Sequence, residues 1–166
     1  RQITTSIEIE SHPDVVWAIL MDFAAYPSWN PFVRDIKGSQ SEGGQLSVRL
    51  QNPGSRGMTF APVVTESIPA RRFAWLGKLG VKGIFDGHHR FDIAATEIGT
   101  VRFTQSESFT GVFVPILWGM VADKTRAGFE AMNVALKERA EGRKRGCRSL
   151  AIITPCNCLT FCVSET

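Results

Sequence analysis

No cysteine occurs before Cys147; all four (Cys147, Cys156, Cys158, Cys162) stand in the last stretch of the chain. The body, residues 1–141, therefore offers no disulfide, no thiolate nucleophile and no cysteine metal ligand. Cys156-Asn157-Cys158 with Cys162 is not a common zinc spacing, and no metal is expected there. A glycine-rich phosphate loop, a Gly-x-Ser-x-Gly elbow and a dinucleotide fingerprint are all missing. These absences argue against nucleotide-dependent transfer, serine-elbow hydrolysis and nicotinamide oxidoreduction. His88 and His89 are neighbours in a strand-like run, so they face opposite sides and cannot share a metal; His12 lies far away at a helix start. No cofactor is expected.

Long apolar runs are missing too. Nothing reaches about 18 consecutive apolar residues, so no stable membrane insertion is expected. Arg1-Gln2-Ile3-Thr4-Thr5 leads directly into an alternating pattern and does not read as a leader. The last four residues do not begin with Cys, so a prenylation box is absent. A cytoplasmic location is the expectation, although no feature of the sequence names the compartment.

The net charge of +3 misleads. Arg143, Lys144, Arg145 and Arg148 against Glu165 account for all of it, and residues 1–141 are balanced. Nucleic-acid binders usually carry basic surface on the folded body, so no nucleic-acid partner is expected. The split in charge and cysteine marks two regions. Residues 1–141 read as one ligand-binding domain, of a size that supports a single core. Residues 142–166 read as a basic, cysteine-containing tail, disordered or altered from its native form. The alternative is an extension in which Leu150-Ala151-Ile152-Ile153 docks on the body or a neighbour.

Within the body, Ile3, Ile7 and Ile9 alternate with polar residues, as in a strand with one wet face. Ser11 is expected to cap a short helix over Asp14–Met21, with Pro13 and Asp14 in its first turn. Another short helical turn follows at Asp22–Tyr26, and Pro27 and Pro31 are expected to stop it. Strands are expected near Val33–Lys37, Gln45–Gln51, Met58–Ser67, Arg71–Lys78, Ile84–Ile93 and Thr100–Phe109. Glu42-Gly43-Gly44, Asn52-Pro53-Gly54 and Pro69-Ala70 supply turns. A long amphipathic helix, about Phe113–Arg139, closes the body. Trp118, Val121, Ala122, Thr125, Phe129, Met132 and Leu136 fall on one face; Asp123, Arg126, Glu130 and Lys137 fall on the other. Strands in a meander with helices on one face make an α+β domain. Phe113, Leu117 and Met120, in the first half of the helix, are candidates to border a cavity, and Gly128 allows close approach to the sheet.

Four segments then carry a resemblance. They are Ala25-Tyr26-Pro27-Ser28-Trp29-Asn30-Pro31-Phe32-Val33, Gly83–Phe91, Gln105–Gly111 and Gly128–Lys137. Together they resemble the START-like, or SRPBCC, superfamily in its polyketide cyclase/dehydrase-like branch, over about residues 2–141. The resemblance implies a helix-grip fold: a curved seven-stranded antiparallel sheet wrapped on a long C-terminal helix, with two short helices near the N-terminus and an apolar tunnel between. Members include lipid carriers, hormone receptors and aromatase/cyclases, so fold alone does not select among them. The family's cavity wall falls at Trp29 and Asn30.

Strand parity sharpens the site. Phe85, Gly87, His89, Phe91 and Ile93 share one face, and Val101, Phe103, Gln105, Glu107 and Phe109 share the facing one. With the hairpin centred near Glu97, Phe91 pairs with Phe103, His89 with Gln105, and Glu107 is diagonal to His89. Three polar residues thus sit at inward positions of apolar strands, where unpaired burial costs a few kcal/mol each. They either bond one another, recognise a ligand, or transfer protons as His89 and Glu107. Phe73 and Trp75 share a strand face and add apolar wall, while Arg49 points to solvent. The expected ligand is an apolar, aromatic or polycyclic small molecule. Any chemistry is cofactor-free cyclisation, dehydration or isomerisation; the alternative is a non-catalytic carrier or sensor. A monomer or weak homodimer is expected.

Overall fold

The computed structural model of the chain describes residues 1–51, 57–78 and 83–149, with side chains through Gly142. The expected turn at Asn52-Pro53-Gly54 and the tail from Leu150 onward lie outside the described residues. The elements run β1 (Gln2–Ile9), α1 (Pro13–Met21), a single 3-10 turn (Phe23–Ala25), α2 (Tyr26–Trp29), β2 (Val33–Gly38), β3 (Leu46–Leu50), β4 (Met58–Phe60), β5 (Val63–Ile68), β6 (Arg72–Lys78), β7 (Asp86–Ala95), β8 (Val101–Thr110) and α3 (Val114–Ser149). This is the α+β helix-grip arrangement.

Three local details differ from the sequence reading. The residue capping α1 is His12, not Ser11; Ser11 is buried and its amide donates to the Ile9 carbonyl at 2.8 Å. Pro27 does not stop the second helix but sits in the first turn of α2, where its missing N–H costs nothing. The run Met58–Ser67 is two strands, broken at Pro62, which cannot donate to a ladder. The Pro62 carbonyl instead accepts from Leu46 N at 2.9 Å.

That break replaces one seven-stranded sheet with two. Five strands pair in the order β1-β8-β7-β6-β5 and three in the order β2-β3-β4. All pairings are antiparallel. The sheets meet where Gln45 bridges Val63 and where Val64 N donates to the Gly44 carbonyl at 2.8 Å. The helix α3 lies across the inner face, against β1, β8 and α1.

The α3 stripe read from the sequence holds. Thr125, Phe129, Met132, Leu136 and Ala140 are buried, and Asp123, Arg126 and Glu130 are exposed. Phe129 meets the Phe32 ring edge-on at 5.7 Å. Gly128 does permit a close approach, but the neighbour is Phe32 rather than the sheet. A side-chain carbon at 128 would overlap the Phe32 ring. A polar lock fixes the helix register. Gln105 Nε2 donates to Asn133 Oδ1 at 2.6 Å and to the Phe129 carbonyl at 3.1 Å, and Asn133 Nδ2 donates to Thr5 Oγ1 at 3.1 Å. All three residues are buried, so breaking one of these bonds would leave an uncompensated group behind. Tyr26 is also buried; its hydroxyl donates to the Leu20 carbonyl at 2.9 Å, and burial, with Asp22 nearby, pushes its ionisation up.

The hairpin joining β7 to β8 is centred one residue later than expected. Thr96 N donates to the Thr100 carbonyl at 2.9 Å, Gly99 N donates to the Thr96 carbonyl at 3.1 Å, and Gly99 takes φ +77°. A tight turn followed by a left-handed glycine is a favoured three-residue hairpin loop. The pairs are therefore His89–Glu107, Phe91–Gln105 and Ile93–Phe103. Inward positions stay inward, but each partner moves by two.

Candidate functional site

The inner face of the five-stranded sheet reads as rows. One row is Trp75, His89, Glu107 and Ile3 across β6, β7, β8 and β1. The row below is Phe73, Phe91, Gln105 and Thr5, all buried. The row above is Gly77, Gly87 and Phe109. Two glycines side by side put backbone where the neighbouring rows put aromatic rings. A hollow opens above them.

The hollow is a cavity of about 460 Å³, within the usual size of a small-molecule site. The five-stranded sheet supplies Trp75, Gly77, Lys78, Gly87, Glu107 and Phe109. The helix supplies Leu117, Met120, Val121, Lys124 and Thr125. The second sheet supplies Val48, Leu50, Met58 and Phe60, and Phe32, Gly57, Pro62 and Phe85 complete the wall. Among these described residues Glu107 is the one carboxylate.

Glu107 is held by what surrounds it. Its carboxylate lies over Gly87, where a side-chain carbon would stand 2.5 Å from Oε1. Its Oε2 is 3.7 Å from His89 Nδ1, an ion-pair distance but longer than a hydrogen bond. His89 is 3 % exposed and does not line the cavity. Its ring stacks on Trp75 at 4.8 Å with planes 10° apart, and it meets Phe129 at 4.9 Å and Phe91 at 4.5 Å. Its Nε2 has no hydrogen-bond partner among the described residues. Trp75 and Glu107 therefore face the cavity, and His89 stands behind them.

The expected site residues divide. Trp75, Glu107, Leu117 and Met120 line the cavity. The others do not. Phe73 packs with Trp17 and Phe23 in the core, and Phe91 stacks on Phe103 at 5.9 Å beneath the His89 row. Gln105 is committed to α3 by the polar lock, so the expected His89–Gln105 pairing is corrected. Asn30 is structural: its Oδ1 accepts from Phe32 N at 3.0 Å and Val33 N at 2.8 Å, shaping the turn into β2. Trp29 packs on Tyr26 at 5.1 Å. Phe113 precedes the first turn of α3 and points outward. Outside the rows, His88 bonds Thr65 Oγ1 at 2.9 Å and Arg49 is exposed, on the face away from the core.

Sequence reasoning missed the second sheet's share. Leu46, Val48 and Leu50 alternate, which gives their face but not the wall they join. Phe85 and Phe109 were on the inward parity and needed only the register. The paired glycines carried no visible signal, because Gly77 and Gly87 become neighbours only when β6 and β7 align. No helix among the described residues is long and apolar enough to cross a membrane, and no group of three or more metal-ligating side chains occurs among them.

Comparison with solved structures places the fold. The ZhuI aromatase/cyclase from Streptomyces sp. R1128 superposes with a TM-score of 0.71 at 16% identity, covering 89% of this chain and 97% of that one. A START superfamily protein from Mycobacterium smegmatis gives 0.68 at 20% identity, covering 86% and 98%. The di-domain aromatase/cyclase StfQ of the steffimycin biosynthetic pathway gives 0.69 at 14% identity, covering 87% of this chain and 52% of that one. At these identities the likeness is one of fold. No curated protein matches the sequence. The profile of one family, described as polyketide cyclase/dehydrase and lipid transport, matches residues 1–141. On that match, the chain belongs to the polyketide cyclase/dehydrase and lipid transport family.

Proposed function

We propose that this protein holds an apolar, aromatic or polycyclic small molecule between α3 and the two sheets, with Glu107 contacting the ligand's polar group. One observation carries the reading: a carboxylate, the one among the described lining residues, on the wall of a largely apolar, aromatic-lined cavity of about 460 Å³. Trp75, Phe85 and Phe109 offer ring faces and edges, which suit a flat ligand. Aromatase/cyclases among the structural neighbours, and the family's description, support a polyketide-like or lipid-like ligand.

The same geometry suits proton transfer without a cofactor. In an intramolecular aldol cyclisation the Glu107 carboxylate takes a proton from a carbon beside a carbonyl. That carbon attacks a second carbonyl carbon of the same chain, and the resulting alkoxide takes the proton back. Atoms balance and nothing is oxidised. The cavity's contribution is to fold the substrate so that the two carbons meet. His89 acts through Glu107 as a positioning residue, since it does not reach the cavity. The carrier reading is favoured by that same fact, because no second carboxyl group and no imidazole lines the cavity among the described residues.

The test is a titration with a hydroxyanthraquinone, followed by quenching of tryptophan fluorescence. Saturable quenching that is lost in Trp75→Phe and weakened by bulk at Gly77 supports the cavity reading. Quenching that ignores both changes sinks it. Native mass spectrometry of the freshly purified protein would identify a retained ligand directly.

A further inference from the structure

The cavity wall carries opposite charges that do not meet. Glu107 stands on the sheet side and Lys124 on the helix side, and both line the hollow. Glu107 is at ion-pair distance from His89, behind the wall; Lys124 is in no ion pair or hydrogen bond among the described residues. The reason is local. The positions three and four residues from Lys124 are Met120, Val121, Ala127 and Gly128, so α3 offers it no acid one turn away. Leu117 lies two turns before it on the same side of the helix, and it too lines the cavity. Lys124 thus belongs to the helix stripe that faces the hollow.

The two charges differ in their access to water. The Glu107 side chain is 15 % exposed, whereas Lys124 is an exposed residue at the rim. The cavity therefore has an acidic inner wall and a basic rim, and its lining includes the rings of Trp75, Phe85 and Phe109. Lys78 adds to the charge at the rim. It ends β6 beside Gly77, and its register partner Asp86 is buried, with Oδ2 accepting from the Gly83 amide at 3.1 Å. By strand parity Lys78 points away from the side on which Gly77 opens the hollow, so it contributes field more than contact.

We infer that the ligand is an aromatic acid with a hydroxyl group at its far end. The carboxylate meets Lys124 at the rim, the rings fill the apolar hollow, and the hydroxyl donates to Glu107. This names a class of ligand for the cavity and rests on the ligand-cavity reading above. A purely apolar ligand would cover Glu107 without giving it a donor, at a cost in binding. A hydroxyl donating to a carboxylate is a charge-assisted bond, which is the stronger kind. The reverse orientation sets the ligand's own carboxylate against Glu107, on an apolar wall where repulsion is least screened. The polarity of the wall therefore decides which end of the ligand enters first.

The experiment is calorimetric titration of the full chain with three probes: a naphthoic acid whose hydroxyl is on the far ring, its methyl ester, and the isomer whose hydroxyl adjoins the carboxyl. Thermal scans check that each variant is folded. The far-hydroxyl acid should bind most tightly, and added salt should weaken it more than the ester. Lys124→Gln should weaken the acid by about five-fold, the scale of an ion pair open to water, and leave the ester unchanged. Lys78→Gln should weaken the acid by less. Glu107→Ala should remove the advantage of the far-hydroxyl acid over its isomer. An ester that binds as tightly as the acid, or an equal loss of both in Lys124→Gln, overturns the proposal. So does an isomer that matches the far-hydroxyl acid in the parent protein. Failure of all three probes with intact, Trp75-dependent quenching by the hydroxyanthraquinone overturns the aromatic-acid class and leaves the cavity reading standing. Failure of the probes and of the anthraquinone together sinks both.

Discussion

Glu107 lies across Gly87. The two residues are on neighbouring strands, and the carboxylate occupies the space that a side chain at 87 would fill, 2.5 Å from its first carbon. The glycine is therefore a condition for the position of the acid. Gly87→Ala should leave the fold intact, because the displaced group is the free end of a flexible side chain. It should move the carboxylate and weaken ligand binding or turnover. Circular dichroism and a thermal scan check the first half, and a ligand titration checks the second. A variant with parental affinity would mean that the carboxylate's position does not matter.

Glu107→Gln keeps the shape and removes the charge. If Glu107 transfers protons, ligand should still bind while turnover falls by about 10²–10⁴-fold. His89→Asn should track it, because coupled residues do not add. If the protein is a carrier, affinity shifts and there is no turnover to lose. Full turnover in both variants removes the pair from the mechanism.

Gly77 sets the depth of the cavity. A carbon at 77 would meet only ordinary contacts, 3.7 Å from the Gly87 carbonyl and 3.9 Å from Pro62. Gly77→Ala should thus be tolerated, and Gly77→Leu should occupy the hollow and exclude larger ligands first. Affinities for one-ring and three-ring aromatics, compared across the two variants, test this. Equal loss for both sizes would argue against a size gate.

Helix packing gives the stability predictions. Phe129 is fully buried between Phe32 and His89, so Phe129→Ala should cost about 3–5 kcal/mol. Gly128→Ala should cost about 1–3 kcal/mol, since the Phe32 ring has to give way. Phe32→Ala made together with Gly128→Ala should cost less than the sum of the two, and urea denaturation measures the coupling. Additive losses would show that the glycine is not there for Phe32.

Removal of residues 142–166 should leave folding and ligand binding unchanged. Among the α3 residues whose side chains are described, the last buried one is Ala140, and the family match ends at 141. Glu141 remains to accept from Glu10 N at 2.9 Å and to pair with Lys137. A melting temperature lower by about 10 °C would mean that the tail packs on the body, since in a domain of this size that shift corresponds to a few kcal/mol.

What the sequence determined by itself was periodic. Alternation gave the strands and their inward faces, so His89, Gln105 and Glu107 were legible as inward polar residues. The 3.6-residue stripe gave the buried face of α3 from Thr125 to Leu136. Both patterns are local, and each residue reports its own side of its own element. The tertiary structure decided everything that depends on two elements at once. The loop around Gly99 set the register and put Glu107, not Gln105, opposite His89. Pro62 divided a strand and turned one sheet into two. Asn133, a polar residue on a buried helix face, claimed Gln105 for the helix. The cavity itself came from Gly77 and Gly87 lying side by side, a coincidence of register between residues ten apart in the chain. A void is an absence of side chains from several directions, and no single strand's pattern can record it.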